Sequence, residues 1–184
     1  ILNRLFIPIL NGKQTVEFIT DDSPDPIIFD STLPDKLENI IDETGLRNSD
    51  NDDNTGYTDD EIIQKIAMYK FIEHAVSTPL TEYRESNNLG GKPNWNDAVL
   101  YDSDTLSEIQ DDYQKQKPIY LKINLDVKKK KDSGGIDTKP SYFRIAIQRD
   151  PSVTNVSSSN IILTRHRMMM RNKDKTSGYR ALLM

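Results

Sequence analysis

The sequence predicts an α+β fold, in which an antiparallel β-meander in the second half of the chain packs with helices that come mainly from the first half. Residues 119–127 and 142–149 alternate apolar and polar side chains with a period of two, which is typical of half-buried strands. The lysine- and glycine-rich residues 128–140 between them indicate an exposed hairpin connection. Two further strand candidates, residues 160–170 and 178–184, complete a four-stranded antiparallel sheet.

The first half of the chain begins with a helix and a hairpin. Residues 1–10 have apolar side chains at helical spacing and are followed by an Asn-Gly pair, which suits a left-handed helix stop. Strands are predicted at residues 15–20 and 27–29, with a turn rich in Asp and Pro between them. Ser31 or Thr32 is then expected to cap a short helix that has Pro34 in its first turn and continues to about Ile41.

A capping box marks the start of the next helix. Thr58 and Glu61 have the spacing at which each side chain accepts a hydrogen bond from the other residue's backbone N–H. A broad apolar face then continues to residue 76. The acidic, Asn-rich residues 42–57 before it indicate a surface loop, and Asp104 is expected to cap a further short acidic helix.

Charge divides the chain near residue 117. Residues 118–184 carry 14 Lys and Arg against 5 Asp and Glu, a net charge of +9, whereas residues 1–117 carry 10 against 24, a net charge of −14. We therefore expect an acidic, helix-rich part with a short N-terminal hairpin and a basic antiparallel sheet, which together form one compact domain. Either the two parts neutralise each other, or the basic face binds a polyanion.

The basic residues of the second part form the candidate site. Most lie around the last two predicted strands, and four form a run in the hairpin connection. They are Arg165, His166, Arg167, Arg171, Lys173, Lys175 and Arg180, with Lys128, Lys129, Lys130 and Lys131. Such a density of cations binds DNA or RNA phosphates through Coulombic attraction and counterion release. Protection of a sheet edge against pairing explains the same residues equally well.

A metal-dependent nuclease or hydrolase is an alternative function. Asp126, Val127 and Lys128 have the acid-x-lysine form that such a site needs on a strand, and Asp35 or Asp102 could supply a second acid. However, the lysine belongs to a run of four at a hairpin tip, where solvation explains it better. A purely structural domain is the third hypothesis.

Other motifs fail at positions that their chemistry requires. Residues 51–62 partly match a calcium-binding EF-hand loop, but Ile62 stands where a bidentate Glu is needed. Gly90-Gly91-Lys92 is followed by Pro93 where a phosphate loop has Ser or Thr. With 2 histidines and no cysteine, an unaided zinc site is not expected. We therefore expect no catalytic residue, metal or cofactor in this chain, and its own enzymatic status stays open.

Composition also bears on the setting of the chain. No apolar run approaches the roughly 20 residues of a membrane helix, so we expect a soluble protein without a membrane partner. The absence of cysteine excludes disulfides and fits a cytoplasmic setting. The chain begins without Met and closes inside an apolar run, which suggests a segment of a longer protein, with the other domains of that protein as its partners.

Two stretches carry a resemblance to a known superfamily. Residues 5–13, with the strand at 16–19, resemble a segment that follows the nucleotide-binding domain in some large bacterial ATPases of the gyrase, chaperone and histidine-kinase type. Residues 162–169 and 179–182 are similar to later strands of those proteins. The resemblance implies a transducer-like coupling or interaction module outside the ATP-binding fold, and it assigns no catalytic residue to this chain.

Overall fold

Helices and an antiparallel-rich sheet both form, so the predicted α+β class is confirmed. The structure, a computed structural model, describes residues 2–20, 23–43, 58–91, 99–153, 161–163 and 178–184. The chain forms two compact units, Ile1–Ser77 and Thr78–Met184. The boundary between these units follows packing, whereas the sequence-based division near residue 117 follows charge.

In the first unit, the predicted first helix and hairpin are both present. Helix α1 spans Leu2–Leu10. Gly12 follows it with a φ of +64°, which is the left-handed stop expected from the Asn-Gly pair. Strands β1 (Val16–Thr20) and β2 (Ser23–Phe29) pair antiparallel. Helix α2 then spans Leu33–Glu43.

Helix α3 (Asp59–Ser77) begins at the predicted capping box, which is confirmed. The Thr58 N–H donates to the Glu61 carboxylate at 3.0 Å, and the Glu61 N–H donates to the Thr58 hydroxyl at 3.3 Å. The hydrogen bond from the Thr58 N–H, with a second one that the Thr58 hydroxyl donates to the same carboxylate at 3.1 Å, lowers the pKa of Glu61. The helix packs its apolar face on α1, with the Phe6 and Tyr69 rings 4.3 Å apart.

The second unit contains a five-stranded sheet and one α-helix in its described ranges. A 3-10 turn, Leu80–Glu82, precedes the first strand. The elements that follow are β3 (Arg84–Glu85), α4 (Ser103–Gln114), β4 (Ile119–Lys130), β5 (Ile136–Arg149), β6 (Ile161–Leu163) and β7 (Tyr179–Leu183). Helix α4 packs on β4 and β5, and the buried side chains of the sheet include Ile119, Ile123, Ala146 and Leu182.

The predicted meander is wrong in its strand order. The sheet runs β3-β4-β5-β7-β6, so the last strand lies beside β5 and β6 lies at the edge. The β4–β5 and β5–β7 pairs are antiparallel, but β3 is parallel to β4 and β6 is parallel to β7. Alternating side chains identify strands but do not specify their partners, because each strand has the same period whichever neighbour it has.

Several predicted bounds also need correction. The strands of the central hairpin extend to residues 130 and 136, well into the predicted connection, because lysine is tolerated where both faces of a strand meet water. The N-cap of α4 is Asp102 rather than Asp104, and its carboxylate accepts the Thr105 N–H at 2.7 Å. Strand β3 was not predicted.

Some predicted features lie outside the described residues. One is nearly all of the acidic loop at 42–57, which includes most of the EF-hand-like segment. The other is the part of the strand predicted at 160–170 that follows residue 163. Over the ranges that the structure covers, no helix combines the length and the apolar character needed to cross a bilayer.

Candidate functional site

The predicted site residues within the described ranges fall in two places. Lys128, Lys129 and Lys130 form the end of β4 and Lys131 begins the loop after it, whereas Arg180 lies inside β7. The four lysines are exposed, while Arg180 is only 8% exposed. The remaining predicted residues lie outside the described part of the chain: Arg165, His166, Arg167, Arg171, Lys173 and Lys175.

The distal part of the β4–β5 hairpin, residues 127–140, is exposed, and we call it the hairpin arm. The exposed fraction reaches 48% at Val127 and 68% at Ile136. At its tip, Gly134 has a φ of +86° and donates its N–H to the Lys131 carbonyl at 3.0 Å. Glycine adopts this backbone conformation without the strain that a Cβ would cause. The arm therefore ends in a tight turn and presents side chains to solvent.

The register of the hairpin decides which side chains share a face. The pairs between β4 and β5 run without a shift along the whole of β4. Facing partners, and every second residue along each strand, therefore lie on the same side of the sheet. Lys128 and Lys130 share one side with Tyr142, and we call this side the Tyr142 face. Lys129 and Lys139 lie on the opposite face.

An irregular segment, residues 84–91, lies along the edge of β4, and we call it the brace. It begins as β3 and then continues without regular strand pairing. The Ser86 hydroxyl accepts the Asn124 N–H at 2.9 Å, and the Gly90 carbonyl accepts the Asp126 N–H at 3.1 Å. The backbone groups on this edge of β4 are thus satisfied as far as the base of the arm.

Side chains extend the brace to the first residues of the arm. The Asn88 carboxamide donates to the Asp126 carboxylate at 3.2 Å and accepts the Gly90 N–H at 2.9 Å. A Cβ added at Gly91 would lie 2.5 Å from Cε of Lys128. The Lys128 stem therefore packs directly on the Gly91 backbone, an approach that the missing Cβ permits.

The other end of the brace is joined to α4. Arg84 forms an ion pair with Asp112 at 2.6 Å, and Lys117 approaches the same carboxylate at 3.2 Å. These hydrogen bonds lower the pKa of Asp112. The buried Tyr101 hydroxyl donates to the Arg84 carbonyl at 3.3 Å, and burial raises the pKa of Tyr101 to about 12. The brace is therefore anchored before it reaches the arm.

Side-chain partners distinguish the other cations of Thr78–Met184 from the lysines of the arm. In the described ranges of this unit, each Lys or Arg outside the arm has a specific partner. These partners are Asp112 for Arg84 and Lys117, Asp111 for Lys115, Glu85 for Lys122, the Tyr83 ring for Arg144, Gln114 for Arg149 and Asp150 for Arg180. No side-chain hydrogen bond or ion pair to another described residue is formed by Lys128, Lys129, Lys130, Lys131 or Lys139.

Tyr142 lies where the arm meets the body of the sheet. Its side chain is 47% exposed, whereas Tyr83 and Tyr120 are buried. The Lys122 ammonium lies 5.1 Å from the centre of the Tyr142 ring, within the range of a cation–π interaction. The same ammonium is 2.6 Å from the Glu85 carboxylate, and this hydrogen bond lowers the pKa of Glu85.

Arg180 has a different environment from the lysines of the arm. Its guanidinium forms an ion pair with the Asp150 carboxylate, and both side chains are largely buried. Burial lowers the pKa of Arg180 and the Asp150 charge opposes that change, so the guanidinium stays protonated near neutral pH. Because the Asp150 N–H also donates to the Gly178 carbonyl at 2.8 Å, this pair joins the end of β5 to the start of β7.

The residues considered for metal-dependent hydrolysis are held in other contacts. Asp126 accepts a hydrogen bond from Asn88, and Asp102 caps α4. Asp35 belongs to α2, in the other compact unit. Within the ranges that the structure describes, no group of three His, Asp or Glu side chains is arranged to hold a metal ion.

Sequence reasoning missed the brace and one lysine of the arm. Residues 84–91 have no alternating pattern, because their contacts to β4 use a serine hydroxyl and irregular backbone. Lys139 lies opposite Val127 in the hairpin. Only the position of the turn, set by Gly134, could have indicated that pairing from the sequence.

Comparisons with known proteins give no match for this chain among protein-family models, curated proteins or solved structures. The resemblance to bacterial ATPases therefore stays a prediction.

Proposed function

We propose that this chain is a non-catalytic interaction module that binds the phosphate backbone of nucleic acid through its hairpin arm. The observation that carries the proposal is the contrast between the five lysines of the arm, which have no described side-chain partner, and the partnered cations elsewhere in the same unit. Its place as a coupling module of a larger bacterial ATPase rests on the resemblance in the sequence.

The charge and shape of the arm support contact with a polyanion. The arm carries five lysines against Asp132 and Asp137, a net charge of +3 over residues 127–140. Binding a phosphate does not require any of these lysines to leave an internal ion pair, so no such contact opposes association. A two-stranded ribbon also fits the major groove of B-DNA, and released counterions contribute to binding on any nucleic acid.

Protection of the sheet edge is the competing explanation, and the geometry of β5 bears on it. The Arg144 N–H donates to the Met184 carbonyl and the Arg144 carbonyl accepts the Met184 N–H, both at 2.9 Å, so the backbone groups of Arg144 point away from β4. Because strand residues alternate, every second residue of β5 before Arg144 also directs its N–H and C=O away from β4. Pro140 occupies one of these outward positions and has no N–H to offer a further strand. This edge of the arm thus has a protecting residue that does not depend on the lysines.

The experiment that tests the proposal measures binding of fluorescent DNA and RNA oligonucleotides to the full 184-residue chain across a range of salt concentrations. The variant Lys128→Glu/Lys130→Glu is compared with Lys13→Glu/Lys70→Glu, which makes the same charge change at two exposed lysines of Ile1–Ser77. We expect the arm variant to lose at least tenfold in affinity. The slope of log K against log salt should also fall by about 0.7–0.9 for each lost phosphate contact.

The control variant should bind nearly as tightly as the wild type. Equal losses in both variants would mean that only net charge matters, and the proposed role of the arm would then be wrong. Unchanged affinity in the arm variant together with new self-association would favour edge protection instead. A third variant, Arg165→Glu/Arg167→Glu/Arg171→Glu, measures the contribution of the predicted cluster outside the described residues.

A further inference from the structure

The Tyr142 face combines an exposed aromatic ring with cations in one surface. Within the described ranges of Thr78–Met184, Tyr142 is the aromatic residue that remains exposed, since the others are buried or partly buried. A ring held open to water in the middle of a long strand gains little from packing. The Lys122 ammonium approaches one face of this ring, so a flat partner would stack on the opposite face.

The spacing along the strands places this ring in line with two cations of the arm. Tyr142 faces Asn124, which precedes Lys128 by four residues and Lys130 by six on the same face. At about 3.4 Å per residue, the two lysines lie roughly 14 Å and 20 Å from the Asn124–Tyr142 pair. An extended strand of several nucleotides would span this length, with a base at one end and phosphates at the other.

The remaining charges on this face leave it cationic. Lys122 and Arg144 lie beside Tyr142, with the Lys122 ammonium 5.1 Å from its ring. Two carboxylates share the surface: Glu85, which pairs with Lys122, and Asp126, which is held by Asn88. Four cations against two anions give a net charge of +2, so the face around the ring attracts rather than repels phosphate.

Stacking on an aromatic ring discriminates between single-stranded and duplex nucleic acid. Bases in a duplex are stacked on one another, whereas those of a single strand are free to stack on a protein side chain. From the ring, the aligned lysines and the net charge, we propose that the nucleic acid bound by this chain is single-stranded. One base would stack on Tyr142 while phosphates contact Lys128 and Lys130. This inference rests on the proposed function and specifies its ligand.

The test compares Tyr142→Val with Tyr142→Phe. Valine removes the ring but is β-branched and so still favours a strand, and phenylalanine retains the ring. Each variant and the wild type are titrated with a mixed-sequence 20-nucleotide single strand and with the duplex of the same sequence, as DNA and as RNA. We expect the wild type to prefer the single strand, and Tyr142→Val to lose about tenfold in affinity for it. Tyr142→Phe should bind like the wild type, and duplex binding should be equal in all three proteins.

The outcomes separate this inference from the proposed function. If Tyr142→Val binds the single strand as the wild type does, or if the wild type prefers duplex, stacking on Tyr142 is wrong. Loss of binding in Lys128→Glu/Lys130→Glu would still support the arm as a polyanion site. If the wild type binds neither ligand at low salt, both proposals are wrong. An equal loss for single strand and duplex in Tyr142→Val, with an unchanged circular dichroism spectrum, would contradict selective stacking. If the spectrum also changed, the variant would have a folding defect, and the preference of the wild type for the single strand would then decide.

Discussion

The Asn88 carboxamide donates a 3.2 Å hydrogen bond to the Asp126 carboxylate, and this contact ties the brace to β4 at the residue just before the arm. The same Asn88 accepts the Gly90 N–H, and Gly90 in turn accepts the Asp126 N–H. The two side chains and two backbone groups thus close a small hydrogen-bonded ring. On the side of β4 that faces the brace, the base of the arm is held by this ring rather than by regular strand pairing.

Opening that ring should loosen the brace without unfolding the protein. We expect Asn88→Ala to lower the free energy of unfolding by only about 0.5 kcal/mol, since the hydrogen bond is exposed. Amide hydrogen exchange at Asp126 should nevertheless become faster, because its N–H donates to the Gly90 carbonyl. Asn11→Ala, which removes an exposed side-chain hydrogen bond in α1, is the control. Exchange at Asp126 that is unchanged in Asn88→Ala would contradict this role of the brace.

The contact between Gly91 and Lys128 predicts a non-additive pair of substitutions. Gly91→Ala should gain about 0.4–1 kcal/mol by restricting the unfolded chain, but part of this gain is lost because the new Cβ displaces the Lys128 stem. In a Lys128→Ala background, the full gain should appear. Urea unfolding of the two single variants and the double variant measures the difference. Additive free energies would mean that the Lys128 side chain lies elsewhere in solution.

Among the ion pairs described in the second unit, the buried pair of Arg180 and Asp150 should contribute most to the free energy of unfolding. Among the described residues, Arg180→Met leaves the Asp150 carboxylate only its hydrogen bonds from Ser152, and we expect a loss of about 3 kcal/mol in the free energy of unfolding. Lys115→Met breaks an exposed pair with Asp111 and should cost much less, because water already screens the two charges. Similar losses for both would contradict the buried role of Arg180. Oligonucleotide binding by Arg180→Lys then tests its predicted contact with nucleic acid.

The lowered pKa of Asp112 predicts a specific pH dependence. Because hydrogen bonds from Arg84 and Lys117 stabilise the charged carboxylate in the folded state, its contribution to stability is fully present above the ordinary aspartate pKa of about 4. That contribution is lost as pH falls through the lower pKa of the folded state. Urea midpoints of the wild type and Asp112→Asn should therefore converge below pH ~4. A constant difference from pH 7 to pH 2 would show that the effect of Asp112 is not electrostatic.

Pro140 predicts the association state of a further variant. Pro140→Thr supplies an outward N–H on an edge of β5 that has no strand partner among the described residues, and it removes the ring that blocks pairing. We expect self-association of Pro140→Thr in analytical ultracentrifugation at concentrations where the wild type sediments as a single species. Ser141→Thr, whose position is paired with Leu125 inside the hairpin, is the matched control. If Pro140→Thr sediments like the wild type, the proline does not protect this edge.

Local signals in the sequence predicted local structure well. The Thr58–Glu61 capping box depends only on residues three apart, so its pattern specifies the start of α3 without reference to the rest of the chain. The Asn-Gly stop after α1 is similarly local. The N-cap of α4 was placed two residues late, because Asp102 and Asp104 both suit the position and the backbone decides between them.

Features that depend on distant residues were not accessible from the pattern. The neighbour of β5 is β7 and not the strand that follows it in sequence, since strand order depends on the whole sheet. The run of four lysines was predicted in the hairpin connection, whereas three of the four belong to β4. That these lysines lack described partners, while Lys122 pairs with Glu85 across the sheet edge, required the three-dimensional arrangement.

The unbroken register of the hairpin limits how the arm could change length in evolution. Adding one pair of residues between Tyr142 and Lys128 would move both lysines of the Tyr142 face to the other side of the ribbon. Adding two pairs would return the lysines to the same side as Tyr142, two residues farther from it along the strand. The number of residue pairs in this part of the arm therefore decides whether the lysines share a side with the Tyr142 ring. A relative that has gained or lost an odd number of pairs between the tyrosine and the lysines would carry these lysines on the side of the ribbon opposite to its tyrosine.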